Sequence, residues 1–146
     1  MRVKVFDTKL ELGEAAARDA AVIINHAIAE RDSACVIAAT GASQFEFLDA
    51  LMLERVDWTK VTFFHLDEYV GLPESHPASF RRYLKERIVS RVHPRFFHFI
   101  DGEADNVADE CRRVGQLITL QTADVAIVGI GENGHLAFND PPADFD

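Results

Sequence analysis

Short apolar runs alternate with segments of helical periodicity along this chain, and the alternation limits the folds it can adopt. The apolar runs are predicted to be strands: Arg2–Phe6, Ala34–Ala39, Val61–Leu66, Phe96–Ile100 and Val125–Val128. The segments between them are predicted to be helices: Leu10–Arg31, Gln44–Leu53, Phe80–Val92 (with Ser79 as its N-cap) and Asp105–Leu120. This order predicts an α/β fold, with a mainly parallel sheet and helices on both of its faces.

The composition is that of a single globular domain covering residues 1–146. Apolar residues make up 48% of the chain, which is enough for one hydrophobic core. The net charge of −9 argues against a nucleic-acid partner, although a local pocket could still bind a phosphorylated small molecule. No apolar run reaches membrane-spanning length, no leader pattern precedes the first predicted strand, and Cys35 and Cys111 are expected to be reduced core thiols. We therefore expect a cytoplasmic protein without a membrane partner.

Three loops that follow predicted strands form the candidate site. They are Thr40–Ser43, Asp67–Gly71 and Gly129–Asp140. Because parallel strands place their carboxyl ends along one edge of a sheet, we expect these loops to converge. The first loop combines hydroxyl groups with backbone N–H groups at a predicted helix start, which suits a phosphate. It lacks the glycine pattern of a nucleotide-binding loop, so a simple strand-to-helix turn with Ser43 as N-cap is the alternative.

The second and third loops carry groups that can move protons. Asp67 and Glu68 are adjacent, so one is expected to face inward, where partial desolvation would give it the raised pKa of a general base. A solvated acidic loop is the alternative. In the third loop, Asp140 could orient His135 as in other acid–histidine pairs, with Asn133 beside it. A structural loop with a surface histidine is the alternative there.

These segments together resemble the glucosamine-6-phosphate deaminase/isomerase family. The resemblance lies in Leu66–Pro73 followed by His76, Pro77 and Ser79, in Gly129–Pro141, and in the variant phosphate loop Ala39–Ser43. It spans nearly all of this chain but only the N-terminal part of a family member, so we expect a chain truncated at its C-terminus. It implies a Rossmann-like three-layer sandwich, incomplete in this chain, and conversion of glucosamine 6-phosphate into fructose 6-phosphate and ammonium.

The resemblance also implies roles for individual residues. Asp67 falls on the base that moves a proton between C2 and C1, and His135 on the residue that assists ring opening. Asn133 and Asp140 complete the implied catalytic group. The residues implied to bind substrate are Thr40, Gly41, Ala42, Ser43, Glu68 and Gly129. The expected partner is a phosphorylated amino sugar, with formation of a homo-oligomer left open. No organic cofactor is implied, and no metal is expected because the histidines lack a usual zinc spacing.

Four positions depart from the family pattern. Asn133 stands where the family often has Asp, and Asp140 stands where it has Glu. Ala42 and Gln44 replace Gly and Pro of the usual phosphate loop, and a methyl group at Ala42 could restrict the approach of the backbone to phosphate. Two other interpretations stay open. One is a 6-phosphogluconolactonase, which shares the fold and a Gly-His loop, and the other is a non-catalytic sugar-phosphate-binding domain.

Overall fold

The computed structural model describes residues 3–139, which form a four-stranded sheet packed with helices. The helices are α1 Lys9–Arg31, α2 Phe45–Leu51, α3 Phe80–Leu84 and α4 Val107–Ile118. The strands are β1 Ala34–Ala38, β2 Val61–His65, β3 Phe96–His98 and β4 Val125–Ala126. A π-helical turn, Lys85–Val89, extends α3, and short 3-10 turns occupy Ala42–Gln44 and Trp58–Lys60.

The strands are all parallel and lie in the order β3-β2-β1-β4. Ala34 on β1 pairs with Val61 on β2, and Val36 pairs with Val125 on β4. The chain thus moves outward from β1 to β3 and then returns to the other side of β1. This return places a topological switch point between β1 and β4, where open α/β sheets bind their ligands. The predicted α/β fold with a mainly parallel sheet is confirmed.

Small residues cover the buried face of α1 and let it lie close to its neighbours. The helix begins at a capping box, in which Thr8 Oγ1 accepts a hydrogen bond from the N–H of Glu11. Its buried positions are Gly13, Ala17, Ala20, Ala21, Ile24 and Ala27. A Cβ atom at Gly13 would lie 2.7 Å from the backbone carbon of Glu46. The close contact between α1 and α2 therefore requires glycine at that position.

The hydrophobic core is centred on β1 and β2. Almost every residue of these two strands is buried, as expected for parallel strands that are covered on both faces. The large, fully buried side chains include Phe63, Phe64, Ile24, Leu48, Leu51, Leu84 and Ile88. Each such side chain contributes roughly 1.5–3 kcal/mol when it leaves water. This core fixes the points at which the loops after β1 and β2 leave the sheet.

Some predicted elements are wrong or longer than the observed ones. Residues 3–6 form no strand, and Val3 and Val5 are exposed, because the sheet within residues 3–139 provides them with no partner strand. Arg2 lies outside the described residues. The strands predicted to end at Ile100 and Val128 end earlier, since β3 and β4 each pair with one described strand only. Cys111 is exposed on α4 and is not a core thiol.

Candidate active site

The loops that follow β1, β2 and β4 enclose one cavity at the carboxyl edge of the sheet. Its volume is about 190 Å³. It is lined by Ala39, Thr40, Ser43, Asp67, Phe80, Gly129, Ile130, Gly131, His135, Ala137 and Phe138. The sheet order explains this arrangement, because the loops after β1 and β4 separate at the switch point and leave a crevice between them.

Five of the described residues singled out from the sequence line this cavity, and four described ones do not. Those in the lining are Thr40, Ser43, Asp67, Gly129 and His135. Gly41 and Ala42 lie within the first loop but outside the lining. Asn133 is also outside the lining, and it contacts His135, which is part of it. The Glu68 side chain is directed to the first turn of α3, where it accepts a hydrogen bond from the N–H of Arg81. Asp140 lies outside the described residues.

The backbone of the first loop depends on Gly41. This residue has a φ of 120°, which side-chain-bearing residues rarely adopt. The N–H of Gln44 donates to the Gly41 carbonyl oxygen at 3.1 Å and forms the short 3-10 turn. Within residues 3–139, the N–H groups of Ala42 and Ser43 donate to no other residue. These amides are therefore available to a ligand of the loop, and so is the hydroxyl hydrogen of Ser43, whose oxygen accepts a hydrogen bond from Gln44 Nε2 at 3.4 Å.

Asp67 is half-buried where β2 ends. Burial raises the pKa of its carboxyl group above the usual range, and the negative charge of Glu68 raises it further. The backbone N–H of Phe138 hydrogen-bonds to this carboxyl group and opposes the rise in pKa. A carboxylate with a raised pKa is a stronger base than an exposed one, which suits Asp67 to proton abstraction.

Glu68 anchors the second loop to α3. Its side chain is 0% exposed, and it accepts hydrogen bonds from Ser79 Oγ at 3.2 Å, from the N–H of Phe80 at 3.2 Å and from the N–H of Arg81 at 2.8 Å. These donors belong to the first turn of α3 and the residue before it, so the carboxylate satisfies N–H groups that the helix leaves unpaired. The geometry favours a positioning role for Glu68 over the direct substrate contact expected from the sequence.

Arg81 extends this anchor to a third segment of the chain. Its guanidinium group donates to Asp101 at 2.7 Å, to Glu103 at 2.8 Å and to the Leu72 carbonyl oxygen at 3.2 Å. Its Nε atom lies 3.7 Å from Glu68, and the Arg81 side chain is only 9% exposed. This cluster was not predictable from the sequence, because its members are far apart in the chain and form no motif.

The third loop holds His135 by short-range contacts. Asn133 Oδ1 accepts a hydrogen bond from the backbone N–H of His135 at 3.1 Å and also contacts its Nδ1 atom. Because an amide oxygen can only accept, Nδ1 carries the proton and Nε2 is the basic nitrogen. A Cβ atom at Gly131 would lie 2.1 Å from Cε1 of His135. Glycine at position 131 is therefore required for the observed position of the imidazole.

Three aromatic rings join the second and third loops beside the cavity. Tyr69 lies 5.0 Å from Phe80 and 5.1 Å from Phe138, measured between ring centroids, and Phe80 lies 5.4 Å from Phe138. Contacts of this kind contribute about 0.5–1.5 kcal/mol beyond the area they bury. The cluster brings the backbone of Phe138 to Asp67. No sequence motif predicted this contact.

Two further properties concern residues 3–139 only. In that range, no group of three or more His, Cys, Asp and Glu side chains is arranged to hold a metal ion. In the same part of the chain, no helix is both long enough and apolar enough to cross a membrane.

Comparison with known sequences gives a consistent result. A profile of the family described as glucosamine-6-phosphate isomerases/6-phosphogluconolactonase matches residues 7–139. Glucosamine-6-phosphate deaminase 2 of Giardia intestinalis is 40% identical over 134 residues, which cover 84% of this chain and 51% of that protein. Glucosamine-6-phosphate deaminase of Streptococcus sanguinis is 37% identical over 108 residues, which cover 74% of this chain and 46% of that protein. The chain thus spans about half the length of the curated relatives it matches.

Solved structures agree with the sequence comparison. A monomeric glucosamine-6-phosphate deaminase has a TM-score of 0.87 at 32% identity, covering 99% of this chain and 61% of that chain. A 6-phosphogluconolactonase from Shewanella baltica has a TM-score of 0.78 at 20% identity, covering 90% of this chain and 57% of that chain, and this likeness shows the fold alone. The fold and cavity define an α/β protein of Rossmann-like fold with a cavity at the switch point of its sheet. The chain belongs to the glucosamine-6-phosphate isomerase/6-phosphogluconolactonase family.

Proposed function

We propose that the protein is a glucosamine-6-phosphate deaminase, which converts glucosamine 6-phosphate and water into fructose 6-phosphate and ammonium. One observation carries the proposal: Asp67 with its raised pKa, His135 and the hydroxyl-bearing first loop line the same cavity. The two relatives that bear this name, at 40% and 37% identity, support the choice of substrate.

His135 opens the sugar ring in this proposal. Its Nε2 atom takes the proton of the C1 hydroxyl group, the bond between C1 and the ring oxygen breaks, and the ring oxygen receives a proton. The product is the open-chain aldehyde. An imidazole group can gain and lose a proton near neutral pH. Because Nδ1 contacts Asn133, Nε2 is the nitrogen that takes up the substrate proton.

Asp67 then moves the proton that converts the aldose into a ketose. Its carboxylate takes the proton from C2 while the substrate ammonium group passes a proton to O1, which gives an enolamine. The same carboxyl group returns its proton to C1, which leaves an iminium group at C2. Water adds to C2 and ammonium leaves, so fructose 6-phosphate is formed and atoms balance. Partial burial suits one carboxyl group to both transfers, because its raised pKa favours taking up the proton.

The remaining cavity residues bind the substrate in this proposal. The hydroxyl groups of Thr40 and Ser43, with the amides of the first loop, receive the phosphate group, and the backbone of Gly129 contacts the sugar. Asp140 as a partner of His135 stays a prediction. So do the cytoplasmic location and any homo-oligomer.

The test is ammonium release from glucosamine 6-phosphate by the full chain. Asp67→Asn keeps the shape of the side chain but removes the base, and we expect kcat to fall at least about 100-fold, the lower range for general-base catalysis. Asp105→Asn is the matched control, because Asp105 is exposed and is not part of the cavity lining, and the activity of this variant should equal that of the parent protein. Hydrolysis of 6-phosphogluconolactone without ammonium release would overturn the proposal in favour of the lactonase. Binding of sugar phosphate without turnover would favour a sensor.

A further inference from the structure

Tyr83 connects α3 to the first loop through its hydroxyl group. The hydroxyl donates a hydrogen bond to the carbonyl oxygen of Gly41 at 3.0 Å, between residues separated by 42 positions in the chain. The proposed reaction uses no group of Tyr83, and Tyr83 is not part of the cavity lining. The hydrogen bond of Tyr83 therefore acts on the first loop and not on the cavity directly.

The ring of Tyr83 is held in place by its neighbours. It stacks on Phe45, the first residue of α2, with 5.9 Å between ring centroids. The guanidinium group of Arg87 lies 3.9 Å above the Phe45 ring and 5.7 Å above the Tyr83 ring, and it pairs with Asp49 at 3.7 Å. Burial raises the pKa of the Tyr83 hydroxyl group to about 12, so the group remains a hydrogen-bond donor throughout the physiological range.

The Gly41 carbonyl determines where the next amide points. The peptide bond between Gly41 and Ala42 is trans, so its C=O and its N–H point in opposite directions. The φ of 120° at Gly41 belongs to a region open to glycine, whose backbone is freer to rotate than that of other residues. Besides Tyr83, this carbonyl accepts only the N–H of Gln44 among residues 3–139. The tyrosine hydroxyl therefore restrains a peptide unit that glycine alone leaves loose.

We infer that Tyr83 is a positioning residue of the phosphate-binding loop, which it orients by holding the Gly41 carbonyl so that the Ala42 and Ser43 amides face the phosphate of the substrate. The inference rests on the proposed function, because it takes the first loop as the phosphate site. It also accounts for the departures at Ala42 and Gln44, since a loop that lacks the usual glycine and proline gains an external restraint.

The test measures binding of inorganic phosphate to the full chain by calorimetry, together with KM and kcat for glucosamine 6-phosphate. Tyr83→Phe removes the hydroxyl group and keeps the ring. Loss of one neutral hydrogen bond should weaken phosphate binding about 2- to 10-fold and raise KM by a similar factor, with kcat changed less than about 2-fold. Ser90→Ala is the matched control, because Ser90 Oγ also donates to a backbone carbonyl, that of Glu86, but at the exposed end of the same helical segment. It should leave phosphate affinity unchanged.

Each result bears on Tyr83 separately from the reaction. Phosphate binding needs no turnover, so absence of ammonium release would refute the proposed function while the binding comparison still tests Tyr83. Equal phosphate affinities of Tyr83→Phe and the parent protein, or no phosphate binding by the parent, would overturn the inference. If Tyr83→Phe is unfolded at the assay temperature, phosphate binding by both proteins is compared at a lower temperature at which the variant is folded. Equal phosphate affinities there would likewise overturn the inference.

Discussion

Asp67 in the loop after β2 and His135 in the loop after β4 are the two proposed proton-transferring groups, but the two loops are held in different ways. Asp67 is next to Glu68, whose carboxylate is fully buried. Glu68 and Arg81 join this loop to α3 and to Asp101 and Glu103. His135 sits in a loop held by its own turns, in which the N–H of Gly131 donates to the His135 carbonyl oxygen at 2.9 Å. The loop of Asp67 is thus held by contacts with distant segments of the chain, and the loop of His135 by turns of its own backbone.

This difference separates stability from activity. Substitutions in the cluster around Asp67 should lower the free energy of unfolding, because they leave buried charges without partners. Substitutions around His135 should reduce turnover while the fold remains, since this loop contributes little to the core. Variants in each loop can break or sharpen the comparison.

Arg81→Met should have the largest effect on stability. It removes the cation that joins the buried Glu68 to the half-exposed Asp101 and Glu103. Loss of one partner from a fully buried ion pair costs about 3–5 kcal/mol, which is the upper limit here because two of the carboxylates reach solvent. The measurement is the free energy of unfolding from urea titration. The matched control is Arg112→Met, which breaks an exposed pair with Asp109 on α4 and should cost no more than about 1 kcal/mol. Equal losses in the two variants would show that the second loop is not anchored as described.

His65 should make stability depend on pH. It lies 2% exposed at the end of β2, and its Nε2 atom has no hydrogen-bond partner among the described residues. Burial lowers its pKa to about 4 from a model-peptide value near 6.5, so the folded protein disfavours the charged form. The free energy of unfolding is therefore unaffected by this group above about pH 6.5. It falls by about 3 kcal/mol in total as the pH decreases toward 4.

Unfolding free energies measured at several pH values would test this dependence. His65→Gln should flatten the curve between about pH 6.5 and pH 4, because glutamine does not titrate. His93→Gln is the matched control, since His93 is exposed and its replacement should leave the curve as it was. A parent curve that is already flat in this range would show that His65 is not buried in a neutral form.

Periodicity was sufficient to predict the sheet and helices, because the residues that define them are near neighbours in the chain. The strand predicted over Arg2–Phe6 is absent at residues 3–6. Alternating apolar residues form a strand only where a partner strand exists. Asp67 and His135 both line the cavity, and both were selected as site candidates because each stands in a recognisable sequence motif. The roles of Glu68 and Arg81 in holding the loop were not predicted, since their partners lie 9 to 22 residues away and are brought together only by tertiary folding. The requirement for glycine at 131 was equally hidden, because all the glycines of that loop look alike in sequence.

Gly131→Ala should reduce activity more than stability. The new methyl group would meet Cε1 of His135 at 2.1 Å, and the imidazole at the end of its side chain can move away. We expect kcat for ammonium release to fall about 10-fold or more, because displacement of a proton-transferring group loses part of its contribution. The melting temperature should change by only a few degrees. Gly115→Ala on α4 is the control, since its Cβ atom meets nothing within 4 Å. It should keep full activity and gain about 0.5–1 kcal/mol in stability. Unchanged activity in Gly131→Ala would remove His135 from the mechanism.

Phe138→Leu should have the smallest effect, and it tests the contact that joins the two regions. The substitution keeps an apolar side chain but removes ring contacts with Tyr69 and Phe80, at a cost of about 1 kcal/mol. If those contacts hold the third loop against the second, the N–H of residue 138 moves away from Asp67. That hydrogen bond lowers the pKa of the Asp67 carboxyl group, so its loss should raise that pKa. Because the reaction needs the carboxylate, the acidic limb of the kcat/KM profile should then move to higher pH. An acidic limb that stays in place would show that the loop after β4 holds its position without the aromatic cluster, and that the two loops are independent.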